Sequence, residues 1–543
     1  MKRLEDVAAD LGLTPGELVP YGPGMAKIPS SVVRARTGPA RAKLILVTSM
    51  TPTAHGEGKT VTAIGTAMAL ARQGFRAVPC LRQPSFGPVF GTKGGATGGG
   101  RATVEPSAEI NLGLTGDLYA IASAQNLLAS MVDNHLHYGN DFEIDPDRIT
   151  VPRAIDLDDR ALRRVRVGLG GTASGPERSD GFVIAAASEV AAIQCLSRDL
   201  DDLHARLDGM LVGFSRAGRP IRASDLGAGG AMTAILRHAM EPNLVQTAEG
   251  TPALVHAGPF ANLGPGTASV SSVRLALSLA DYVLVEAGFA SELGAEKFVD
   301  LVGPSGGFQP VAAVVVATVD ALRHHGRTLS SDPPVTGPDA IRRGLANLDR
   351  HLANVRTLGL EPVVAVNEHP HDTPEELAVL EEHLRSQGVR WARSTAYADG
   401  GAGAEVLATE VRGVAAQGRA ARPIFAADLP VTEKLLTVAR ALYGARGVAS
   451  LPQAMMDLEA LESVGLGRGP LCVAKTQLSL SDDAHRLGAP QAFDVRVHSW
   501  HPWAGAGFAL ASLGEILSMP GLPQDPAARH IGVNGTGEVT GLL

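Results

Sequence analysis

Residues 44–60 read LILVTSMTPTAHGEGKT, and here an apolar, β-branched run leads into a glycine-rich turn that ends in Gly-Lys-Thr. Residues 61–72 follow with an alanine-rich, helical composition. A strand, a glycine-rich turn and a helix in this order bind the phosphates of a nucleotide, because backbone N–H groups and the lysine point at the anion. The hydroxyl of Thr60 is then the usual magnesium ligand. Thr53 stands where the full pattern has glycine, so an ordinary glycine-rich turn before a helix stays open as an alternative.

The composition predicts a multidomain α/β protein of the cytoplasm. A chain of 543 residues divides into roughly two to four domains. The net charge of −8 argues against a general affinity for nucleic acid. The N-terminal MKRLEDV lacks the apolar core of a signal peptide, and apolar runs such as residues 311–317 are too short to span a bilayer. The three widely separated cysteines form no metal-ligand spacing and indicate reduced thiols in a cytosolic protein.

Apolar strands alternate with helical stretches along most of the chain. The strand segments are residues 44–47, 77–81, 282–285, 312–316 and 363–366. This alternation predicts a mostly parallel sheet, like that of phosphate-loop NTPases, with helices on both faces and ligands at the carboxyl ends of the strands. Two smaller α/β domains are expected to follow it. We predict an ATP-binding phosphate-loop domain at residues 1–348, a second domain at 349–450 and a third at 451–543.

A second glycine-rich segment lies just after the strand that leads to Arg82. Half of residues 87–100 (GPVFGTKGGATGGG) are glycine, so this segment contributes little to a core. It is either flexible filler or a loop that brings backbone close to a ligand, and its position past the end of a strand favours the loop.

Long blocks of sequence match one known family. The blocks, in chain order, are the phosphate loop at 51–60, RQPSFGPVFGTKGG at 82–95, TGD at 115–117, DNHLHYGN at 133–140, PNLVQTAEGTP at 242–252, HAGPFAN at 256–262, EAGF at 286–289, GAEKF at 294–298, AKTQLSLSDD at 474–483 and MPGLP at 519–523. By these blocks the chain resembles the formate–tetrahydrofolate ligase (10-formyltetrahydrofolate synthetase) family along essentially its whole length, as a divergent member.

The resemblance implies an ATP-dependent C–N ligase of one-carbon metabolism. Formate is phosphorylated by ATP to formyl phosphate, and the N10 amine of tetrahydrofolate then attacks this mixed anhydride. The implied cofactors are ATP with Mg²⁺ and a monovalent cation, K⁺ or NH₄⁺. The implied assembly is a homotetramer, with small molecules as its other partners.

The resemblance also implies roles for individual residues. Lys59, Arg82 and Asp117 are the expected catalytic residues: Lys59 neutralises the transferring phosphoryl group and Arg82 offers a planar fork to a carboxylate or acyl phosphate. Asp117 either orients a metal ion or the amine, or caps the helix that follows. The pterin and acyl site is expected at Arg82, Gln83, His369 and Tyr397. The nucleotide site is expected at Thr53, Ala54, His55, Gly56, Glu57, Gly58, Lys59 and Thr60, with Thr60 as the metal ligand.

Several family motifs are altered in this chain. Gln83 replaces a glutamate, and Gly113, Tyr119 and Pro265 stand where the family has histidine. The two rings that enclose the pterin in the family are His369 and Tyr397 here, where phenylalanine and tryptophan are usual. Because histidine is the commonest acid–base residue near neutral pH, these changes keep two other readings open. One is a paralogous ligase for another small carboxylate or amine, and the other is a non-catalytic nucleotide-binding homologue.

Overall fold

Apolar, β-branched runs form the centre of a twelve-stranded sheet in the computed structural model, which describes residues 1–327 and 335–542. The strands are β1 (Val19–Pro20), β2 (Ala26–Lys27), β3 (Lys43–Ser49), β4 (Ala77–Leu81), β5 (Gly98–Gly99), β6 (Ala102–Glu105), β7 (Ile144–Ile149), β8 (Arg153–Ile155), β9 (Val165–Val167), β10 (Arg178–Asp180), β11 (Phe182–Ile184), β12 (Leu211–Ser215), β13 (Pro220–Arg222), β14 (Asn243–Thr247), β15 (Pro252–Val255), β16 (Tyr282–Glu286), β17 (Ala312–Ala317), β18 (Pro362–Asn367), β19 (Arg390–Ser394), β20 (Gly447–Ser450), β21 (Leu471–Lys475), β22 (Asp494–Val497), β23 (Ser499–Trp503), β24 (Phe508–Leu513), β25 (Gly532–Val533) and β26 (Val539–Thr540).

Helices connect most of these strands. They are α1 (Leu4–Ala9), α2 (Ser30–Arg36), α3 (Lys59–Arg72), α4 (Phe86–Pro88), α5 (Ser107–Asn111), α6 (Asp117–His137), α7 (Glu189–Leu196), α8 (Leu200–Gly209), α9 (Gly229–Leu236), α10 (Val270–Leu279), α11 (Gly303–Gly306), α12 (Val319–Gly326), α13 (Gly337–Thr357), α14 (Pro374–Ser386), α15 (Ala396–Asp399), α16 (Glu405–Ala415), α17 (Val431–Val438) and α18 (Pro452–Ser463). Among the described helices, none has both the length and the apolar composition that crossing a bilayer requires.

The sheet is parallel over most of its width, as the sequence predicts. Its main order is β1-β2-β14-β15-β4-β16-β3-β17-β18-β19, and every neighbouring pair from β15 to β19 runs parallel. The edge strands β14, β2 and β1 pair antiparallel, and β6 also joins β14. Because parallel strands end at the same edge, the loops after β4, β16, β3, β17, β18 and β19 all emerge on one side.

Helices cover both faces of this sheet. Successive side chains of a strand point to opposite faces. In β3, Leu44 and Leu46 join one apolar core, whereas Ile45 and Val47 join the other. Helices α6, α10 and α13 pack on the first face, and α3 and α16 pack on the second. The predicted fold class, α/β with helices on both faces, is therefore confirmed.

The C-terminal part of the chain has a core of its own. This core gathers apolar residues from α17, α18 and the strands β21 to β24, which form small sheets separate from the main one. The predicted divisions after residues 348 and 450 stay predictions. Residue 348 lies within helix α13, and β18 and β19 continue the sheet that begins in residues 1–348.

Candidate active site

The phosphate loop joins the end of β3 at Ser49 to the start of α3 at Lys59. Gly56 and Gly58 have φ angles of 78° and 77°, in the left-handed region where glycine is favoured. A Cβ atom on Gly58 would also lie 2.9 Å from Asn367 Nδ2. Residues 54–56 are exposed, so the crest of the loop is open to an anion.

The buried Glu57 stabilises the conformation of this loop through hydrogen bonds. Its Oε1 accepts a hydrogen bond from the Thr53 backbone N–H at 2.6 Å, and its Oε2 accepts one from the Thr318 hydroxyl. Asn367 Nδ2 donates to the Glu57 carbonyl at 2.9 Å. Thr318 follows β17 and Asn367 ends β18, so two neighbouring strands hold the loop in shape.

A buried carboxylate, Glu286, joins two of the predicted site residues, Thr60 and Arg82. It is the last residue of β16, and its side chain is 5 % exposed. Thr60 Oγ1 donates to its Oε2 at 2.7 Å, and Arg82 Nε donates to its Oε1 at 3.0 Å. Burial alone would raise the pKa of Glu286, but Arg82, Thr60 and Lys59 outweigh it and lower that pKa. The carboxylate is therefore ionised at neutral pH.

Lys59 lies beside this group. Its Nζ donates to Ser49 Oγ at 3.3 Å. Burial lowers the pKa of Lys59 to about 8, although Glu286 and Glu57 act in the opposite direction. A cation with few protein partners at the base of a phosphate loop is available to an incoming phosphate.

Sequence reasoning places Glu286 in a family block but assigns it no role in the site. The available signal is an apolar strand, YVLV, that ends in an acid. This pattern identifies a site residue only when the strand order is known. In the structure, Glu286 of β16 pairs with Val47 of β3. The pairing sets the acid beside the start of the phosphate loop, where phosphate-loop NTPases hold the carboxylate of their magnesium site.

Gln83 is buried next to Arg82 with an unsatisfied side chain. It is 4 % exposed, and neither its amide nitrogen nor its amide oxygen has a hydrogen-bond partner among the described residues. Its backbone N–H donates to the Ala257 carbonyl at 2.6 Å. A buried amide without partners costs free energy, so this amide suits a polar ligand or an ordered water.

Asp117 lies in a different group from Lys59 and Arg82. It begins α6, and its Oδ1 lies 2.8 Å from Lys27 Nζ, with the two side chains 2 % and 1 % exposed. Asn243 Nδ2 donates to its other oxygen at 2.9 Å. Its two oxygens are thus occupied by protein groups, which is the arrangement of a structural ion pair.

His369 and Tyr397 follow β18 and β19, so they emerge at the same edge of the sheet as the phosphate loop. Tyr397 is 63 % exposed, and its carbonyl accepts a hydrogen bond from the Arg101 N–H at 2.8 Å. Its ring lies against Gly99 of the second glycine-rich segment, where a Cβ atom would come within 2.9 Å of Tyr397 Cε2. His369 Nδ1 lies 3.3 Å from Asp320 Oδ2 in the first turn of α12.

A phosphate loop, a buried acid at the end of the neighbouring strand and an arginine just after the next strand define the class of phosphate-loop enzymes that use a nucleoside triphosphate. The family model described as formate–tetrahydrofolate ligase matches residues 1–543. The protein so named from Paracoccus denitrificans (strain Pd 1222) is 48 % identical over 540 residues, covering 99 % of this chain and 97 % of that protein. The formate–tetrahydrofolate ligase from Caldicellulosiruptor saccharolyticus is 45 % identical over 541 residues, covering 99 % of this chain and 98 % of that protein. The chain belongs to the formate–tetrahydrofolate ligase family.

Proposed function

We propose that this chain ligates formate to tetrahydrofolate with the conversion of ATP to ADP and phosphate. A formate oxygen attacks the γ-phosphorus of ATP and ADP leaves, which gives formyl phosphate. The N10 amine of tetrahydrofolate attacks the formyl carbon, phosphate leaves and the amine proton is released. The observation that carries the proposal is the Glu286 carboxylate, which holds the Thr60 hydroxyl and the Arg82 guanidinium beside the phosphate loop.

The residues of the loop fit a magnesium–triphosphate group. Magnesium prefers oxygen ligands, and the Thr60 hydroxyl and the ionised Glu286 carboxylate both supply oxygen. When bound, the ion neutralises charge on the phosphates. Lys59 adds a positive charge at the start of α3, and residues 54–56 of the loop are exposed to solvent, where a phosphate can approach them.

Arg82 suits the carboxylate side of the reaction. Its Nε is engaged by Glu286, which orients the guanidinium and leaves its terminal nitrogens for a planar anion. We assign formate and the acyl phosphate to this group, and we assign the adjoining buried amide of Gln83 to the acyl or amine group. His369 and Tyr397 are proposed to contact the pterin, with a smaller apolar area than phenylalanine and tryptophan offer.

Gln83 also favours a second candidate, a ligase for another small carboxylate or another amine. A neutral amide replaces a carboxylate at a buried position, so the charge presented to the acceptor is different. The intact Lys59, Thr60, Arg82 and Glu286 group speaks against a non-catalytic homologue.

Three further features of the family are proposed for this chain. They are dependence on a monovalent cation such as K⁺ or NH₄⁺, assembly into a homotetramer and a cytoplasmic location. The three cysteines, Cys80, Cys195 and Cys472, are buried free thiols, which is consistent with a reducing compartment.

The test is a coupled assay of ADP release with ATP, Mg²⁺, K⁺, formate and tetrahydrofolate. ADP release that needs both formate and tetrahydrofolate supports the first candidate, and Lys59→Ala serves as the inactive control. ADP release with another acid in place of formate, or with another amine in place of tetrahydrofolate, supports the second. Tight ATP binding with no turnover for any acid and amine would overturn both.

A further inference from the structure

Three side chains of types that can ligate a metal ion lie close together outside the phosphate loop. Asp320, at the start of α12, meets His369 and His371, which lie on the turn after β18. Asp320 Oδ2 lies 3.3 Å from His369 Nδ1 and 2.9 Å from His371 Nε2. One ligand atom from each residue lies within 4.8 Å of the other two. The side chains are 40 %, 38 % and 59 % exposed, so an ion can reach them from solvent.

These separations suit a zinc-sized ion. Zinc bonds to histidine nitrogen and carboxylate oxygen at about 2.0–2.2 Å, so two ligand atoms on a tetrahedral ion lie roughly 3.4 Å apart. Both measured distances are within a few tenths of an ångström of that value. Two histidines and one carboxylate also form a ligand set that leaves a position for water or substrate.

The turn and the helix hold their ligands in place. The His369 N–H donates to Asp372 Oδ2 at 2.8 Å, and the Asp372 N–H donates to the His369 carbonyl at 3.0 Å. Arg323 Nη1 donates to Asp320 Oδ1 at 2.7 Å, so the other oxygen, Oδ2, faces the two histidines. Partners behind the ligands that fix their orientation are typical of metal sites.

The surrounding charges favour a cation. Arg323 contacts three carboxylates: Asp320 at 2.7 Å, Glu376 at 2.6 Å and Asp372 at 4.0 Å. Asp372 has a fully buried side chain, and its Oδ1 has no hydrogen-bond partner among the described residues. One guanidinium therefore compensates only part of the negative charge of these three carboxylates, one of which belongs to the ligand candidate Asp320.

We propose that Asp320, His369 and His371 bind one divalent transition-metal ion of the zinc class, with an open coordination position toward solvent. The ion would tie the turn after β18 to helix α12. Thr318, at the N-cap of α12, donates to Glu57 of the phosphate loop, so the same helix contacts both places. Metal binding at His369 Nδ1 fixes the ring that the proposed function assigns to the pterin.

The experiment is a titration of untagged, chelator-treated protein with Co²⁺, without nucleotide, followed by visible absorption and calorimetry. We expect one Co²⁺ per chain, with the absorption of a low-symmetry nitrogen and oxygen site, and displacement by Zn²⁺. His371→Ala and Asp320→Asn should each weaken binding by about tenfold or more, since each removes one of three ligands.

His383→Ala is the matched control. His383 also pairs with a carboxylate, Asp349 at 2.6 Å, but it is not one of the three clustered side chains. Circular dichroism shows whether the variants are folded. Absence of stoichiometric Co²⁺ in the wild-type protein, or equal binding by His371→Ala and His383→Ala, would overturn the proposal. Because binding is measured directly, failure of the ligase assay leaves this result unaffected, and failure here leaves the ligase proposal standing.

Discussion

At the scale of single residues, Glu286 connects the hydroxyl of Thr60, the proposed magnesium ligand, to Arg82, the residue proposed to bind the acyl group. Glu286→Gln keeps the shape of the side chain but removes the charge that holds Thr60 and Arg82. We expect the apparent affinity for Mg²⁺ to fall by about 10–100-fold or more, because the substitution removes a charged oxygen proposed to bind the ion and also the partner that orients Thr60. Steady-state ADP release as a function of Mg²⁺ concentration measures this. Glu410→Gln, which alters a surface pair with Arg390, is the control and should leave the Mg²⁺ dependence unchanged.

We expect Lys59, as the proposed phosphate-binding lysine, to make nucleotide binding depend on pH. With a pKa lowered to about 8, the side chain is charged below that pH and neutral above it. A bound triphosphate stabilises the charged form, so binding above pH about 8 takes up a proton, and the apparent affinity falls by up to about tenfold per pH unit. Calorimetry at pH about 9 in buffers of different ionisation enthalpy detects the proton. Lys59→Met should bind ATP more weakly and without the uptake, and an affinity constant between pH about 7 and about 9 would contradict the assignment.

At the scale of secondary-structure elements, Lys27 and Asp117 tie strand β2 to the start of helix α6. Asp117→Asn leaves the Lys27 ammonium buried without its counter-charge. We expect it to lower the free energy of unfolding by about 3–5 kcal/mol, measured by chemical denaturation. The double variant Lys27→Met, Asp117→Leu should recover part of the loss, because no buried charge remains. Normal stability with a reduced kcat in Asp117→Asn would instead place Asp117 among the reacting groups.

The second glycine-rich segment, residues 87–100, packs directly on the short helix α15 that carries Tyr397. Gly100 has a φ of 57°, and a Cβ atom there would lie 2.0 Å from the Tyr397 carbonyl oxygen. Gly100→Ala should therefore cost about 1–2 kcal/mol for its left-handed backbone and about 1–3 kcal/mol more for the clash. Because the clash displaces Tyr397, the KM for tetrahydrofolate should rise as well.

Gly22→Ala is the matched control for this substitution. Gly22 has a φ of 77° and open space where its Cβ atom would lie. Gly22→Ala has the same backbone penalty as Gly100→Ala but no clash. The difference between the two variants in the free energy of unfolding therefore measures the contact with Tyr397. Equal losses in the two variants, with an unchanged KM, would show that the segment does not position Tyr397.

At the scale of the whole molecule, a buried ion pair joins the C-terminal core to the large sheet. Lys475, at the end of β21, lies 3.2 Å from Glu292, and both side chains are fully buried. The other Glu292 oxygen lies 3.6 Å from His351 Nδ1 on α13. Burial lowers the pKa of His351 to about 3, so this histidine is neutral and the pair is Lys475 with Glu292.

Lys475→Met should uncouple the unfolding of the C-terminal core from that of the sheet. Loss of one partner of a buried ion pair costs about 3–5 kcal/mol of stability. Here that loss weakens the contact between the C-terminal core and the core of the large sheet. In a Trp391→Phe background, fluorescence reports Trp500 and Trp503 of the C-terminal strands, whereas circular dichroism reports the whole chain. We expect the fluorescence transition to shift to lower denaturant than the dichroism transition. Lys43→Met, at an exposed site, should leave the two transitions as in the parent.

Much of the architecture could be predicted from local patterns. Three local patterns were sufficient to predict a parallel α/β sheet: the apolar run before the phosphate loop, the glycines of that loop and the repeated apolar strands. Such patterns depend only on residues close together in the chain. The long matching blocks of sequence were sufficient to identify the family. The boundaries between domains were harder to predict from the sequence, because residue 348 lies inside a continuous helix whose apolar face packs on the sheet.

Taken alone, the sequence determined the fold class, the phosphate loop at Lys59 and Thr60, and membership of the formate–tetrahydrofolate ligase family. Only the tertiary structure decided which side chains meet. The order β4-β16-β3 places Glu286 against both Thr60 and Arg82, although Glu286 is 226 and 204 residues away from them in the chain. The same holds for Lys27 with Asp117, and for Asp320 with His369 and His371. The reason is physical: local patterns set the direction and faces of each strand and helix, whereas the order of strands in the sheet sets which of their ends are neighbours.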